Sequence, residues 1–203
     1  MRHLIIATRN RHKTRELAAM LGHEWMVKDL SASPGLPEPE ENGKTFEENA
    51  VIKAEAASRA LPGLALADDS GLEVDLLGGA PGIRSARYAG EKATDQQNRG
   101  RLLEEMARLN HTAEEPAAAR FRCAIAIAEA GKTLAAFSGT VEGRIALAEA
   151  GTGGFGYDPL FIPNGYSQTF AELDPALKNQ LSHRARAMKQ AIEWLERRQG
   201  ADL

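Results

Sequence analysis

The chain has no surplus of positive charge: 25 lysines and arginines face 28 aspartates and glutamates, a formal net charge of −3. A general nucleic-acid binder or a protein that coats anionic lipid would be basic, so neither is expected. It has a single cysteine, which excludes an intrachain disulfide. Cys123 sits in the apolar run 121–128 and is expected to pack as a small core residue. No apolar run approaches membrane-spanning length, and the start Met1-Arg-His-Leu-Ile-Ile-Ala7 is too short a hydrophobic stretch for a signal peptide. Internal repeats and low-complexity tracts are missing too. What remains is a cytoplasmic enzyme or binding protein of 203 residues, enough for one substantial core or for two lobes sharing a cleft.

The order of elements points to an α/β fold. Leu4-Ile5-Ile6-Ala7 reads as a short strand followed by a polar turn over 8–13. Leu17, Met20 and Leu21 then return at helical spacing, with Gly22 suited to a C-cap. Residues 31–43, with Pro34, Pro37 and Pro39, form a loop. Thr45-Phe-Glu-Glu48 carries a capping-box pattern that opens a helix to about Leu61, before Pro62-Gly63 stops it. Leu64-Ala65-Leu66-Ala67 reads as a strand buried on both faces, ending in Asp68-Asp69 and a turn at Ser70-Gly71. Thr94-Asp-Gln-Gln97 caps another helix through Leu102, Leu103, Met106 and Leu109. Residues 121–128 and 133–141 make a β-hairpin around Gly131-Lys132, with 143–148 a candidate further strand. A last helix starts near Ser182 and carries Ala185, Met188, Ile192 and Leu195. The expected architecture is α/β with a mixed sheet, its helix-rich and hairpin-rich halves facing each other across a cleft.

Several constellations carry chemistry. Asp68 and Asp69 lie where ligands collect in open α/β sheets, and as strand neighbours they point to opposite faces, so they should do different jobs. The plain alternative is a strand-to-turn junction whose aspartates bond backbone amides. Gly151-Thr-Gly-Gly-Phe-Gly156 formally fits G-x-G-x-x-G, but Tyr157-Asp158-Pro159 follows instead of a helix, which excludes a dinucleotide fingerprint. It reads instead as a rigid loop presenting Phe155 as a stacking face, or as a tight loop around a core phenylalanine. Thr8, Asn10 and Lys13, at the start of a helix, suit a phosphate, although Thr8 or Asn10 could equally be a plain N-cap. Lys53, Lys178, His183 and Arg184 add cations in positions that are more often surface. Glu40 and Glu41 join the aspartates as carboxylates able to share Mg²⁺, which is usually held by one or two carboxylates plus phosphate oxygens and water.

Six stretches in order resemble the inosine/xanthosine triphosphate pyrophosphatase family. They begin at Ala7-Thr-Arg-Asn-Arg-His-Lys-Thr-Arg-Glu-Leu17, Glu41-Asn-Gly-Lys-Thr-Phe-Glu-Glu-Asn-Ala50, Ala67-Asp-Asp-Ser-Gly-Leu72 and Gly78-Gly-Ala-Pro-Gly-Ile-Arg-Ser-Ala-Arg-Tyr88. Gly151-Thr-Gly-Gly-Phe-Gly-Tyr-Asp-Pro159 and Leu181-Ser-His-Arg184 complete the set. The resemblance implies hydrolysis of dITP, ITP and XTP to the monophosphate and pyrophosphate. It implies a long mixed sheet flanked by helices, in one domain of two lobes over 1–203, usually as a homodimer. Thr8, Asn10, Lys13 and Lys53 would bind the triphosphate. Asp69 and Glu41, or Glu40, would hold Mg²⁺. Asp69 would also be the base on the attacking water, supported by Asp68 and Ser70. Phe155 would stack on the purine in a pocket shaped by Gly156, Tyr157 and Asp158, and Lys178, His183 and Arg184 would read the base edge or its neighbourhood. Two rivals share much of this apparatus: a pyrophosphatase for damaged pyrimidine or other modified triphosphates, and a nucleotide sensor that binds without cleaving.

Overall fold

Alternation and helical spacing build the first part of the chain as expected. The computed structural model describes residues 2–109 and 117–200. Strand β1 (Arg2–Ile6) buries Leu4 and Ile6 and leads into helix α1 (Arg11–Leu21), which buries Leu17 and Leu21 one turn apart and ends at Gly22. Strand β2 (Trp25–Asp29) follows, then the proline-rich loop. Helix α2 (Phe46–Ala60) starts on Thr45, whose hydroxyl accepts from the Glu48 N–H. Its buried stripe of Ala50, Ala54 and Ala57 lets the backbone approach closely. Strand β3 (Leu64–Val74) and helix α3 (Asp95–Arg108) come next, the latter opening on a complete capping box between Thr94 and Gln97. Strands β4 (Ala118–Glu129) and β5 (Lys132–Ile145) form the expected hairpin. Their two-residue turn holds Ala130 and Gly131 at φ of 48° and 77°, the mirror-image turn that matches strand twist. Strand β6 (Phe161–Pro163), helix α4 (Pro175–Leu181) and helix α5 (His183–Gly200) complete the order.

The sheet runs β2-β1-β3-β4-β5-β6. β1 is parallel to both β2 and β3, with Leu4 opposite Val27 and Ile5 opposite Ala65, while β5 is antiparallel to β6. The mixed α/β sheet is therefore as expected. The chain divides into two compact units. One comprises residues 1–69, 123–139 and 183–203, and its core gathers Leu4, Ile6, Leu17, Leu66, Ile125, Ile127 and Met188 with the buried Cys123. The other comprises 70–122 and 140–182, with a core of Leu72, Leu102, Met106, Phe121, Phe161 and Phe170.

Three expectations need correction. β3 does not stop at Ala67: it continues through Asp68, Asp69, Ser70 and Gly71 to Val74. Turn-forming residue types suggested an end there, but Leu72 and Val74 are fully buried in the second core, and the Ser85 hydroxyl accepts from the Leu72 N–H at 2.9 Å. Residues 143–148 are no separate strand, since β5 runs unbroken to Ile145. β2, β6 and α4 were not foreseen; the first two are short, but Asp174 before Pro175 is a readable helix start, its carboxylate accepting from Ala176 and Leu177.

Close approach within the first unit fixes Gly139 on β5. A Cβ there would lie 2.2 Å from the His183 carbonyl oxygen and 2.6 Å from the Ala187 nitrogen, both backbone atoms of α5. Gly139→Ala is expected to lower stability by about 1–3 kcal/mol through overpacking, read as a drop in the urea midpoint at unchanged slope. Cys123 is buried, and its thiol is pushed up to about 12 by desolvation and then by the nearby Asp68 carboxylate. It should resist Ellman's reagent at pH 8 in the native protein and react stoichiometrically in denaturant; rapid native labelling would contradict this packing.

Candidate active site

Adjacent strand residues face opposite ways, and β3 uses this to separate two carboxylates. Asp68 turns to the side carrying α1 and α5. Its Oδ2 accepts from Arg184 Nη2 at 3.0 Å and Nε at 3.2 Å, and its Oδ1 lies 3.2 Å from Lys13 Nζ. Asp69 turns to α2, where its Oδ1 accepts from Lys53 Nζ at 2.6 Å and its Oδ2 from Asn49 Nδ2 at 3.4 Å. Asn49 and Lys53 are one helical turn apart and so present side chains on the same face.

The two acids differ electrostatically. Burial alone would raise the Asp68 carboxyl, but Lys13 and Arg184 outweigh it and hold the group well below the usual carboxylate range. For Asp69 burial wins: it raises the carboxyl above its ordinary value despite Lys53 and Lys13, with Glu41 adding to the rise. Burial likewise opposes the charge on Lys53, yet Asp69, Glu41 and Asp68 raise its ammonium overall. Asp68 is thus a locked anion and Asp69 the better proton acceptor.

In the acidic loop Glu40 and Glu41 have different surroundings. Glu41 Oε1 lies 3.4 Å from Lys53 Nζ, whereas Glu40 is exposed. One ammonium therefore sits against Asp69 and Glu41 together, a cation held by carboxylates from a strand and a loop. Among the described residues no three His, Cys, Asp or Glu side chains converge into a ready cage. A phosphate-bound Mg²⁺ does not require one, because phosphate oxygens and water complete its octahedron. The pair Asp69 and Glu41 fits such an ion.

At the first turn the plainer alternative is the observed one. Asn10 caps α1, its Oδ1 accepting from His12 N at 2.9 Å and Lys13 N at 3.3 Å, and Thr8 Oγ1 accepts from Asn10 N at 3.1 Å. Arg184 was expected at the base edge or its neighbourhood; its guanidinium is engaged by Asp68 and, through Nη1 at 2.6 Å, by Glu16. His183 is buried at the first position of α5, and Ser70 is half-buried beside Asp69 on β3.

The second unit holds a separate group. Lys178 and Asp158, both buried, pair at 2.6 Å, and Asp158 Oδ2 also accepts from the Phe155 N–H at 2.9 Å. Lys178 Nζ lies 5.1 Å from the Phe155 ring centroid, within cation–π range. The glycines make this possible: at Gly154, with φ of 69°, a Cβ would stand 2.0 Å from Asp158 Oδ2. Gly156 donates to Asp95 at 2.7 Å and accepts from Arg99 at 2.8 Å. Tyr157 is buried, with its hydroxyl donating to the Ser85 carbonyl, so it anchors the loop from below.

Sequence reading missed Asn49 and Glu16. Both could have been found by helical spacing, Asn49 one turn before Lys53 and Glu16 three residues after Lys13. Because Arg184 is 1% exposed and grips a fully buried carboxylate, Arg184→Met should cost about 3–5 kcal/mol, the usual loss when one member of a buried pair is removed. Chemical denaturation measures it, and a loss below 1 kcal/mol would show that Asp68 does not depend on this partner.

A model of the Ham1 family matches residues 4–194. The chain is 49% identical over 197 residues to the dITP/XTP pyrophosphatase of Geobacillus kaustophilus, covering 97% of this chain and 95% of that one. It is 48% identical over 198 residues to the dITP/XTP pyrophosphatase of Geobacter sulfurreducens, covering 96% and 98%. Among solved structures it is similar to a HAM1 protein from Coxiella burnetii, with a TM-score of 0.85, 38% identity and coverage of 97% and 100%. With agreement in sequence and in fold along nearly its whole length, this chain belongs to the Ham1 family.

Proposed function

We propose that this chain hydrolyses non-standard purine nucleoside triphosphates (dITP, ITP and XTP) to the monophosphate and pyrophosphate, clearing them before they enter DNA or RNA. The relatives' activity supports this reading, and the observation that carries it is the meeting of Asp69, Lys53 and Glu41. The chain works as one pyrophosphatase domain, as a cytoplasmic homodimer with Mg²⁺.

The polyphosphate tail binds to the first unit. Lys13 and Lys53 supply positive charge to a substrate whose own anions repel a nucleophile, and the Thr8–Asn10 turn presents α1's amino end. Bound Mg²⁺, held by Asp69 and Glu41, would neutralise phosphate charge and polarise a water. Asp69 takes the proton from the attacking water through a carboxylate oxygen. The water oxygen bonds to phosphorus, the link between the α- and β-phosphates breaks, and pyrophosphate leaves. Asp68 is a poorer base, since Lys13 and Arg184 lower its affinity for a proton; it pairs with Lys13 instead.

The purine's partners are Phe155 and Lys178. Phe155 offers a stacking face, and Lys178, whose ammonium has three donors, directs one to the 6-oxo group. Adenine presents a 6-amino donor there, leaving the site unmatched at a cost of about 1–3 kcal/mol per group.

Pyrophosphate release from ITP, dITP, XTP, GTP and ATP, with and without Mg²⁺, tests the assignment. Metal-dependent release from ITP, dITP and XTP well above ATP is expected; equal rates for ITP and ATP would refute base reading by donors. Asp69→Asn should lower kcat by about 10²–10⁴-fold with an unchanged circular-dichroism spectrum, the range for loss of a general base.

A further inference from the structure

Arg9 lies between Thr8 and Asn10 and takes no part in the cap that they form. Its side chain reaches instead to the acidic loop between residues 33 and 45. Nη2 donates to the Leu36 carbonyl at 2.5 Å, and Nε lies 3.4 Å from Glu38 Oε1. The side chain is 28% exposed, so this fork is partly screened from water.

The loop sequence gives that grip reach. Residues 36–39 read Leu-Pro-Glu-Pro. Each proline fixes its own φ, and each residue before a proline is confined to extended backbone. Four consecutive residues are therefore stiff, and Glu41 stands two positions beyond them. The far end of the loop is held independently, by Asn49 Oδ1 accepting from Gly43 N at 2.9 Å and Glu48 accepting from Lys44 N at 2.6 Å. Between those ends, Arg9 bonds Leu36 and pairs with Glu38, and Lys53 pairs with Glu41.

We propose that Arg9 is a positioning residue: it clamps the Leu36–Glu38 stretch so that Glu41 stays beside Asp69 and Lys53 before any cation arrives. The inference rests on the reading above for the role of Glu41, but not for the clamp itself. Arg9 does this from inside the Thr8–Asn10 turn assigned to phosphate, so that turn links the polyphosphate and the divalent-ion sites. A lysine cannot replace it, because one ammonium does not reproduce a planar fork that meets a carbonyl and a carboxylate together.

Hydrogen exchange on the metal-free protein and Mg²⁺ titration of ITP hydrolysis test this in Arg9→Ala and Arg9→Lys. The Leu36 and Asn42 amides, bonded within the loop to Ser33 O and Glu40 O, should exchange at least about fivefold faster in both variants. Gly43, held by Asn49, should keep its protection. Half-saturating Mg²⁺ should rise about tenfold, with KM for ITP at saturating Mg²⁺ within about twofold of wild type. Unchanged exchange would overturn the clamp, and so would full rescue by lysine, since charge alone would then suffice. A KM that rises at saturating Mg²⁺ would also overturn it, by making Arg9 a direct phosphate contact. Wild-type protein that fails to hydrolyse ITP would sink the functional reading, while the exchange measurement would still decide the clamp.

Discussion

Two neighbouring carboxylates buried in one strand cannot both stay charged without cations, and the first unit is arranged around that constraint. Asp68 and Asp69 are 2% and 7% exposed. An isolated carboxylate in such surroundings would take up a proton. Arg184 and Lys13 meet the first, and Lys53 meets the second. The helices are therefore constrained by charge as well as by their apolar stripes. α1 must bring Lys13 and Glu16 to one face, α2 must bring Asn49 and Lys53, and α5 must begin with Arg184 deep in the structure.

This pairing divides labour between residues that look identical in sequence. An acid that is always ionised and gripped from two sides makes a fixed electrostatic post. The other acid has its affinity for protons raised by burial, and its cationic partner also serves Glu41. Lys53 thus holds two carboxylates, from a strand and from a loop, against one ammonium.

The second unit solves a different problem by different means. Its loop brings Phe155, Asp158 and Lys178 together with backbone that only glycine can follow, and the buried Asp158–Lys178 pair fixes the ammonium over the ring.

The candidate site residues stood out in the chain because their types are rarely chosen for packing. Asp-Asp after an apolar run, glycines around Phe155 and a lysine eight residues past a helix cap all stood out. So did the hairpin and the capped helices, whose local signals agree with their final states. What local signals could not give was partnership. Asp-Asp-Ser-Gly reads as a turn until Leu72 and Val74 find a second core and draw β3 onward. Nothing near Arg184 in the sequence names its partners, Asp68 and Glu16, which lie 116 and 168 positions away. The sequence by itself determined which groups exist and on which elements they ride, because periodicity and caps act over a few residues. Only the tertiary structure decided which carboxylate is held ionised by two cations and which has its proton affinity raised by burial, because burial and Coulomb attraction depend on distances that no short stretch of chain specifies.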